Sequence, residues 1–392
     1  MSVNNLDAIM ATSPANVFYS SDLCPYGTCF SLLTADGGED AALVAPISGT
    51  TPIVLMSPPW ISDIRYYGEF YNTTLFAGEP LSDAERKLVE AQASWEKSKA
   101  RDPVALLIGL FKERGITKGR IGIDETNLSP DHPFWKRAEA ELPALVLVPA
   151  RNIFSEMRLV KSEEELRRIK RAVQITEKAW DAALSAAGEG MTERSFCRIY
   201  ESAVLSEGGV VSSKMGYYGS PIAFGRRTEF VDIALPSESR LVRGDVIRLD
   251  GGCGCDGYPC DMGRSAVLGD ADQKTMRYWK ALFRGESLAI EQAKPGVKAS
   301  DLFDSAVTEV RKAGINHYRR HHTGHSWGIE GYEPFLIEPS NGRELEEGMV
   351  LCIETPYYEV GWGGLLHEDV VRITEDGSEY ITAYEDELRR VG

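Results

Sequence analysis

The sequence predicts a mixed α+β chain of two domains: an α/β region over residues 1–155, then a helix-helix-strand unit occurring twice over 156–392. Three observations predict this. A length of 392 residues exceeds what one hydrophobic core usually serves, so two domains are expected. Short apolar runs alternate with helix-forming stretches through residues 1–150. Beyond them, two helices followed by a run of strands come once, and the same order then comes again.

In the first region, Cys29–Leu33, Ala41–Val44 and Ile53–Met56 are short apolar runs bounded by Gly, Pro or Asp, as strands would be. Ala-, Glu-, Lys- and Leu-rich sequence from Pro80 to Gly115 predicts one or two helices, broken near Pro103. Arg120–Asp124 and Ala144–Val148 read as strands flanking a helix over Pro130–Leu142. The region has no phosphate loop, no G-x-G-x-x-G fingerprint and no catalytic constellation.

A boundary is expected at Ile153–Arg158. Ser162-Glu-Glu-Glu165 then makes a capping box, with Glu165 able to reach back to the N-cap Ser162. Leu166, Ile169, Val173, Trp180 and Leu184 fall on one face of the helix it starts, which Gly188–Gly190 ends. Thr192 caps a second helix through Phe196, Ile199 and Leu205 to Gly208–Gly209. In the second half a helix runs from Asp272 to Ala293, before Pro295–Gly296. Another, capped by Ser300, carries Leu302, Ala306, Val307 and Val310 to Gly314. Two such halves would curve into one layer of sheet, with helices outside and a cleft inside.

A net charge of −16 argues against nucleic acid or an anionic membrane as the main partner, and simple solubility accounts for it. No apolar run approaches the roughly 18 residues that span a bilayer, and the N-terminus lacks a secretory pattern, so a cytoplasmic protein is expected. The seven cysteines are odd in number and contain no C-x-x-C pair. They suit small buried fillers in a reducing compartment better than zinc ligands or disulfides.

Chemistry concentrates in the second region. Between Arg248 and Arg264, Asp250 and Asp261 stand eleven positions apart around glycine-rich turn sequence. Val246–Asp250 alternates like a strand, and Tyr258–Arg264 reads as its hairpin partner. That pairing would set the two carboxylates side by side, where like charges destabilise a sheet unless a cation lies between them. The other reading leaves them as loop carboxylates at the two ends of a glycine turn. Downstream, four of the six histidines lie between His317 and His325. Glu354 and Glu368 are both embedded in apolar strand sequence, where an unpaired charge would cost several kcal/mol. A bound cation would remove that cost.

Asp250, Asp261, His325, Glu354 and Glu368, at successive spacings of 11, 64, 29 and 14, resemble the five dinuclear-metal ligands of the pita-bread metallohydrolases. This is the M24 group of prolidase, aminopeptidase P and creatinase. The resemblance covers the chain closely from Ser162 onward and more loosely before it. It implies a C-terminal pita-bread domain with pseudo-duplicated α-α-β halves, behind a smaller α/β creatinase-like domain. It also implies a metallopeptidase of the Xaa-Pro dipeptidase or aminopeptidase class, acting on a small peptide or amide as a homodimer. Asp261 and Glu368 would bridge two divalent cations, with Asp250 on one and His325 on the other. Mn²⁺ stands foremost, and Co²⁺, Fe²⁺ or Zn²⁺ suit the same oxygen-rich set with one imidazole. Glu354 would also carry the proton from the attacking water to the leaving nitrogen.

The chain departs from that pattern at three places. Tyr332 stands seven residues after His325, where the family has a histidine. Phe230–Pro236 lacks a second expected histidine, and Leu366 replaces an arginine two residues before Glu368. Tyr332 is then either a hydrogen-bond donor to the substrate or an aromatic wall. Arg226, Arg227 and Tyr217–Tyr218 lie in the segment that would face the substrate, where they bind a carboxylate or serve as surface loop. Tyr332, Arg226 and His322 are the candidate substrate contacts, with Tyr332 and Glu354 the candidate catalytic groups. The departures leave room for a small non-peptide substrate, as in ectoine hydrolase or dimethylsulfoniopropionate lyase. Because all five ligands are kept, a dead scaffold and a metal-free creatinase-like route are disfavoured.

Overall fold

The computed structural model describes residues 5–35, 40–56, 58–73, 80–211, 213–214, 217–218, 220–231 and 236–392. The chain divides into two compact units, Met1–Glu156 and Met157–Gly392. Among the described residues no helix is long and apolar enough to cross a membrane.

The first unit runs β1 (Ala8–Ala11), α1 (Pro14–Ser21), β2 (Phe30–Thr34), β3 (Ala42–Pro46), β4 (Asp63–Tyr67), α2 (Asp83–Ser98), α3 (Pro103–Glu113), β5 (Lys118–Ile123), α4 (Pro133–Glu141) and β6 (Ala144–Pro149). Its six strands form one mixed sheet in the order β4-β3-β2-β1-β5-β6. Alternation along the strands feeds both faces. Ala8, Met10, Phe30 and Leu32 pack with Leu107, Phe111 and Phe134, whereas Ile9, Ala11 and Leu43 pack with Val17 and Trp95. Pro103 at the first position of α3, with Asp102 as its cap, makes the expected break. Pro52–Met56 is a helical turn and not the expected strand. Ile53 is buried but Leu55 is 59% exposed, so the run feeds one face only. A short apolar run does not by itself separate the two conformations. At the expected boundary, α5 (Arg151–Leu159) forms a continuous helix.

The second unit opens with α6 (Glu163–Ala186) and α7 (Glu193–Ser206). Short strands β7 (Val210–Val211), β8 (Ser213–Lys214), β9 (Tyr217–Tyr218) and β10 (Ile222–Phe224) follow, and then β11 (Val246–Gly251), β12 (Cys253–Cys255), β13 (Tyr258–Pro259) and β14 (Met262–Leu268). The second half repeats the plan. Helices α8 (Gln273–Gln292) and α9 (Ala299–Ala313) precede β15 (Gly324–Gly328), β16 (Gly331–Leu336), β17 (Val350–Glu354), β18 (Tyr357–Glu359), β19 (Gly363–Leu365), β20 (Glu368–Ile373), β21 (Ser378–Tyr380) and β22 (Arg389–Val391).

A nine-stranded sheet follows the path β10-β11-β14-β20-β17-β15-β16, with β21 on β20 and β22 on β14. The first half contributes β10, β11 and β14, and the second contributes the rest. The halves meet where β14 lies antiparallel to β20, with Gly263 opposite Glu368. This is the pita-bread fold.

The capping box at Ser162 forms, and the five apolar residues predicted for the face of α6 are buried. Phe196 of α7 is buried too, but Leu205 in its last turn is 62% exposed. Ser300 does not cap α9. The cap position is Lys298, and its side chain makes no capping bond. The N–H groups of Ala299 and Ser300 donate instead to the carbonyls of Arg343 and Asn341, at 3.0 and 2.9 Å. Backbone acceptors here do the work of a capping side chain.

Helices α8 and α9 touch at Gly285, where a Cβ would lie 2.3 Å from Val310 Cγ2 and 2.8 Å from the Ala306 carbonyl oxygen. Replacing Gly285 by Ala adds helix propensity worth about 1 kcal/mol. Overpacking against a backbone atom costs about 1–3 kcal/mol and is expected to win. Urea unfolding should find Gly285→Ala less stable than the parent by up to about 2 kcal/mol.

Candidate metal centre

The sheet register brings the acidic residues together. Asp250 on β11 faces Gly263 on β14, Gly263 faces Glu368 on β20, and Glu368 faces Glu354 on β17. Residues directly opposite in a ladder share a face, so one row across four strands carries three carboxylates to the same side. Asp261 stands two residues before Gly263, and His325 on β15 faces Cys352, two residues before Glu354. The apolar residues between them, Leu351, Ile353 and Val371, join the core with Leu282 and Leu302 on the helix side. Alternation therefore separates a polar cleft face from an apolar helix face.

The pairing differs from the predicted hairpin. Asp250 lies opposite Gly263 and not Asp261, because β14 starts only at Met262. Tyr258–Pro259 turns back on Cys253–Cys255, forming a small hairpin of its own. Asp256 and Gly257, both at positive φ, make its two-residue turn. That excursion absorbs most of the ten residues between the two aspartates.

Oxygens of Asp250, Asp261 and Glu368 lie within 4.8 Å of one another, as do ligand atoms of His325, Cys352 and Glu368. Glu368 belongs to both triads. His325 Nε2 is 3.7 Å from Glu368 Oε1 and 4.0 Å from Asp261 Oδ2. Asp261, His325, Glu354 and Glu368 are buried, whereas Asp250 is half-buried. Ionised carboxylates some 4 Å apart repel by about 4 kcal/mol per pair at the effective permittivity of such a site. A divalent cation among them reverses the sign of that energy, and the donor set fits one.

Glu354 belongs to neither triad. His322 Nδ1 lies 3.0 Å from its Oε1, and Arg320 Nη2 donates to the same oxygen at 3.1 Å. Burial pushes the Glu354 carboxyl up, but the His322 hydrogen bond and the charges of Arg320, His322 and His325 outweigh it. The group sits below the usual carboxylate range. Thus His322, predicted as a substrate contact, lies against the Glu354 carboxylate.

Tyr332 is 49% exposed and stacks on His325, with ring centroids 3.5 Å apart and planes 21° from parallel. Burial, then the charges of Glu354, Glu368 and Asp261, raise its hydroxyl pKa, so the proton stays on. The adjacent Glu333 is buried and pairs with Arg158 at 2.8 Å, which anchors the strand presenting Tyr332. Arg226 is exposed in the turn Gly225–Glu229, and no described contact joins it to the carboxylates. Arg227 bonds Glu193 through Nε at 3.0 Å, which ties that turn to α7. The side chains of Tyr217 and Tyr218, and residues 232–235 of the histidine-poor stretch, lie outside the described residues.

Three neighbours escaped the sequence reading. Arg320 belongs to the basic run ending at His322, but nothing local points it at Glu354. Tyr358 hydroxyl donates to Asp250 Oδ2 at 3.3 Å, with the Arg248 guanidinium 4.8 Å from its ring centre. Cys352 shares the cleft face with Glu354, a relation that strand alternation could have given. Its thiol donates to the Asp261 carbonyl at 3.7 Å. Burial, followed by the charges of Glu368 and Asp261, holds that thiol well above its ordinary pKa.

Residues 167–375 match the family model described as Metallopeptidase family M24. The chain is 26% identical to an Xaa-Pro dipeptidase of Pyrococcus furiosus, over 99% of this chain and 97% of that protein. It is 27% identical to an Xaa-Pro dipeptidase of Pyrococcus horikoshii, over 99% and 96% respectively. Among solved structures, an X-Pro aminopeptidase from Thermotoga maritima superposes with a TM-score of 0.78 at 21% identity, over 98% of both chains. The prolidase from Pyrococcus furiosus gives 0.71 at 24% identity, again over 98% of both chains. These two structures share the fold.

Gly263 keeps the middle of the carboxylate row open. A Cβ there would lie 2.2 Å from Leu366 Cγ and 2.8 Å from Glu368 Cβ. The second of these atoms is fixed to the sheet backbone and cannot swing away. Gly263→Ala is expected to lose about 1–3 kcal/mol of stability by calorimetry. It should also weaken divalent-metal binding, because the added methyl displaces the Glu368 side chain.

Proposed function

The chain belongs to metallopeptidase family M24, and from that premise we propose that it is a metal-dependent peptidase of the Xaa-Pro type. Asp250, Asp261, His325, Glu354 and Glu368 are proposed as the ligands of two divalent cations. The observation that carries this reading is the ladder row Asp250–Gly263–Glu368–Glu354, with His325 Nε2 3.7 Å from Glu368. Glu368 is common to both triads, which suits a bridging carboxylate. The proposed set is oxygen-rich with one imidazole, which suits Mn²⁺, put foremost, as well as Co²⁺, Fe²⁺ or Zn²⁺. Bound there, the cations would lower the pKa of a water toward neutrality and polarise the scissile carbonyl.

The protein's own groups do the rest. His322 and Arg320 both engage Glu354 Oε1, which leaves Oε2 to take the proton from the attacking water and pass it to the leaving nitrogen. Tyr332, protonated through neutral pH, would donate to the oxygen on which negative charge develops. Its ring, flat against His325, also walls that side of the cleft. The two Pyrococcus dipeptidases align over nearly their whole length, which supports a peptide substrate over a small non-peptide one. A cytoplasmic setting belongs to the same proposal, supported by seven free thiols. So does a homodimer, carried over from the family resemblance.

Protein reconstituted with Mn²⁺ should hold about two equivalents by elemental analysis and cleave Xaa-Pro peptides by mass spectrometry, with chelation abolishing turnover. Less than about one equivalent would sink the metal assignment. Glu354→Gln is expected to stop turnover while circular dichroism stays unchanged; an active variant would refute the proton-carrier role. Tyr332→Phe removes one donor and should lower kcat by about 10- to 1000-fold at constant metal content. If kcat holds, Tyr332 is a wall only.

A further inference from the structure

Behind the carboxylate row, on the helix face of the same sheet, lies a buried charge network that the proposed reaction does not use. Alternation along β20 sends Glu368 to the cleft and its neighbours His367 and Asp369 to the opposite side. His367 Nδ1 is 3.3 Å from Glu286 Oε2 on α8 and 3.8 Å from Asp369 Oδ2. Asp369 Oδ1 accepts from Arg264 Nη2 at 2.6 Å and from Thr382 Oγ1 at 2.7 Å. Arg264 Nη1 donates to the main-chain carbonyls of Glu368 and Gly263, at 2.6 and 3.0 Å. The His367 ring is wedged against Trp279 and Phe283, with centroids 5.7 and 5.3 Å away. None of Glu286, Asp369, Arg264 and His367 is more than 2% exposed.

Arg264 pairs with Asp369 and also lies 3.8 Å from Glu385, and His367 lies against Glu286. Stability alone does not explain the cluster. Buried ion pairs barely recover their desolvation cost, and apolar residues of similar volume commonly serve as well. What the network does fix is geometric. Arg264 holds both main chains at Gly263 and Glu368, the point where the two halves of the sheet meet. Asp369 and Thr382 hold Arg264, and Glu286 with His367 tie that assembly to α8.

We propose that Glu286 and His367 are positioning residues that aim the Glu368 carboxylate into the metal cluster. They act through Asp369 and Arg264 on the main chain either side of Glu368. This inference rests on the reading of Glu368 as a metal ligand.

The test is calorimetric titration of Mn²⁺ into the full-length apo protein, with circular dichroism as the fold control and kcat and KM on an Xaa-Pro dipeptide alongside. Glu286→Leu is expected to weaken Mn²⁺ binding by about 10- to 100-fold. Glu286→Gln keeps a polar link to His367 and should stay within about threefold of the parent. At saturating metal the Leu variant should lose kcat with KM little changed. Where that variant does not fold, Thr382→Val deletes one hydroxyl bond to Asp369 and should weaken Mn²⁺ binding at least about threefold. Parent-like affinity in the variants, with only the melting temperature lowered, overturns the proposal, as does equal loss in Glu286→Gln and Glu286→Leu. If the parent itself takes up no Mn²⁺, the ligand reading fails first and the inference falls with it.

Discussion

Mutual repulsion among the carboxylates of one ladder row is the constraint around which the second unit is built. A single register across β11, β14, β20 and β17 must hold for Asp250, Glu368 and Glu354 to share the cleft face. A slip of one residue in any of these strands would turn its acidic group toward the helices. Charge opposes the alignment, so something else must enforce it. The enforcing term is apolar: Met262, Ala266, Val267 and Leu268 of β14 are buried, as are Val350, Leu351, Cys352 and Ile353 of β17. Leu351, Ile353 and Val371 pack with α8 and α9 on the side away from the cleft. Burying each such side chain is worth about 1.5–3 kcal/mol, so a handful outweigh the repulsion of about 4 kcal/mol per acidic pair.

The site also straddles the junction of two similar halves. Asp250, Asp261 and Gly263 come from the first, and His325, Glu354 and Glu368 from the second. At the site the two are joined by a single β14–β20 ladder pair, Gly263 with Glu368, while β22 pairs with the far end of β14 at Ala266–Leu268. Side chains add to that single pair beside the carboxylates. Arg264 reinforces it from beneath by gripping both main chains, and Ser265 does so alongside. Its hydroxyl donates to the Leu366 carbonyl at 3.0 Å and accepts from the Leu366 N–H at 3.1 Å. Leu366 then fills the space over Gly263, where any side chain would collide with it.

What could be read from the sequence follows the range of the interactions. The capping box at Ser162, the cap at Thr192 and the apolar face of α6 depend on residues within a few positions, and all were legible. The Asp256-Gly257 turn was equally local, yet the longer hairpin over Tyr258–Arg264 obscured it. The acidic residues were legible as a set, because carboxylates inside apolar strands demand a counter-charge. Their register was not, since a spacing of eleven does not say how many residues leave the ladder for a side hairpin. The cap of α9 was out of reach for a related reason. Its acceptors, Asn341 and Arg343, lie about forty positions downstream. Arg320 and Tyr358 are held by tertiary contacts with no local signature.

Tyr332 links the fold to the question of substrate. The Tyr332 ring lies nearly parallel to the His325 imidazole, with centroids 3.5 Å apart, and it carries a hydroxyl that can donate. Wall and donor are then one geometry, and the two roles do not exclude each other. A histidine in that place would titrate near neutrality, and its protonated form would offer a charged hydrogen bond. The tyrosine keeps its proton at every physiological pH, since burial and three nearby carboxylates all raise its pKa. Hydrogen bonds from charged donors are roughly twice as strong as neutral ones. A phenol in place of an imidazole would offer a substrate oxygen a weaker hydrogen bond, but one that does not switch off as pH rises.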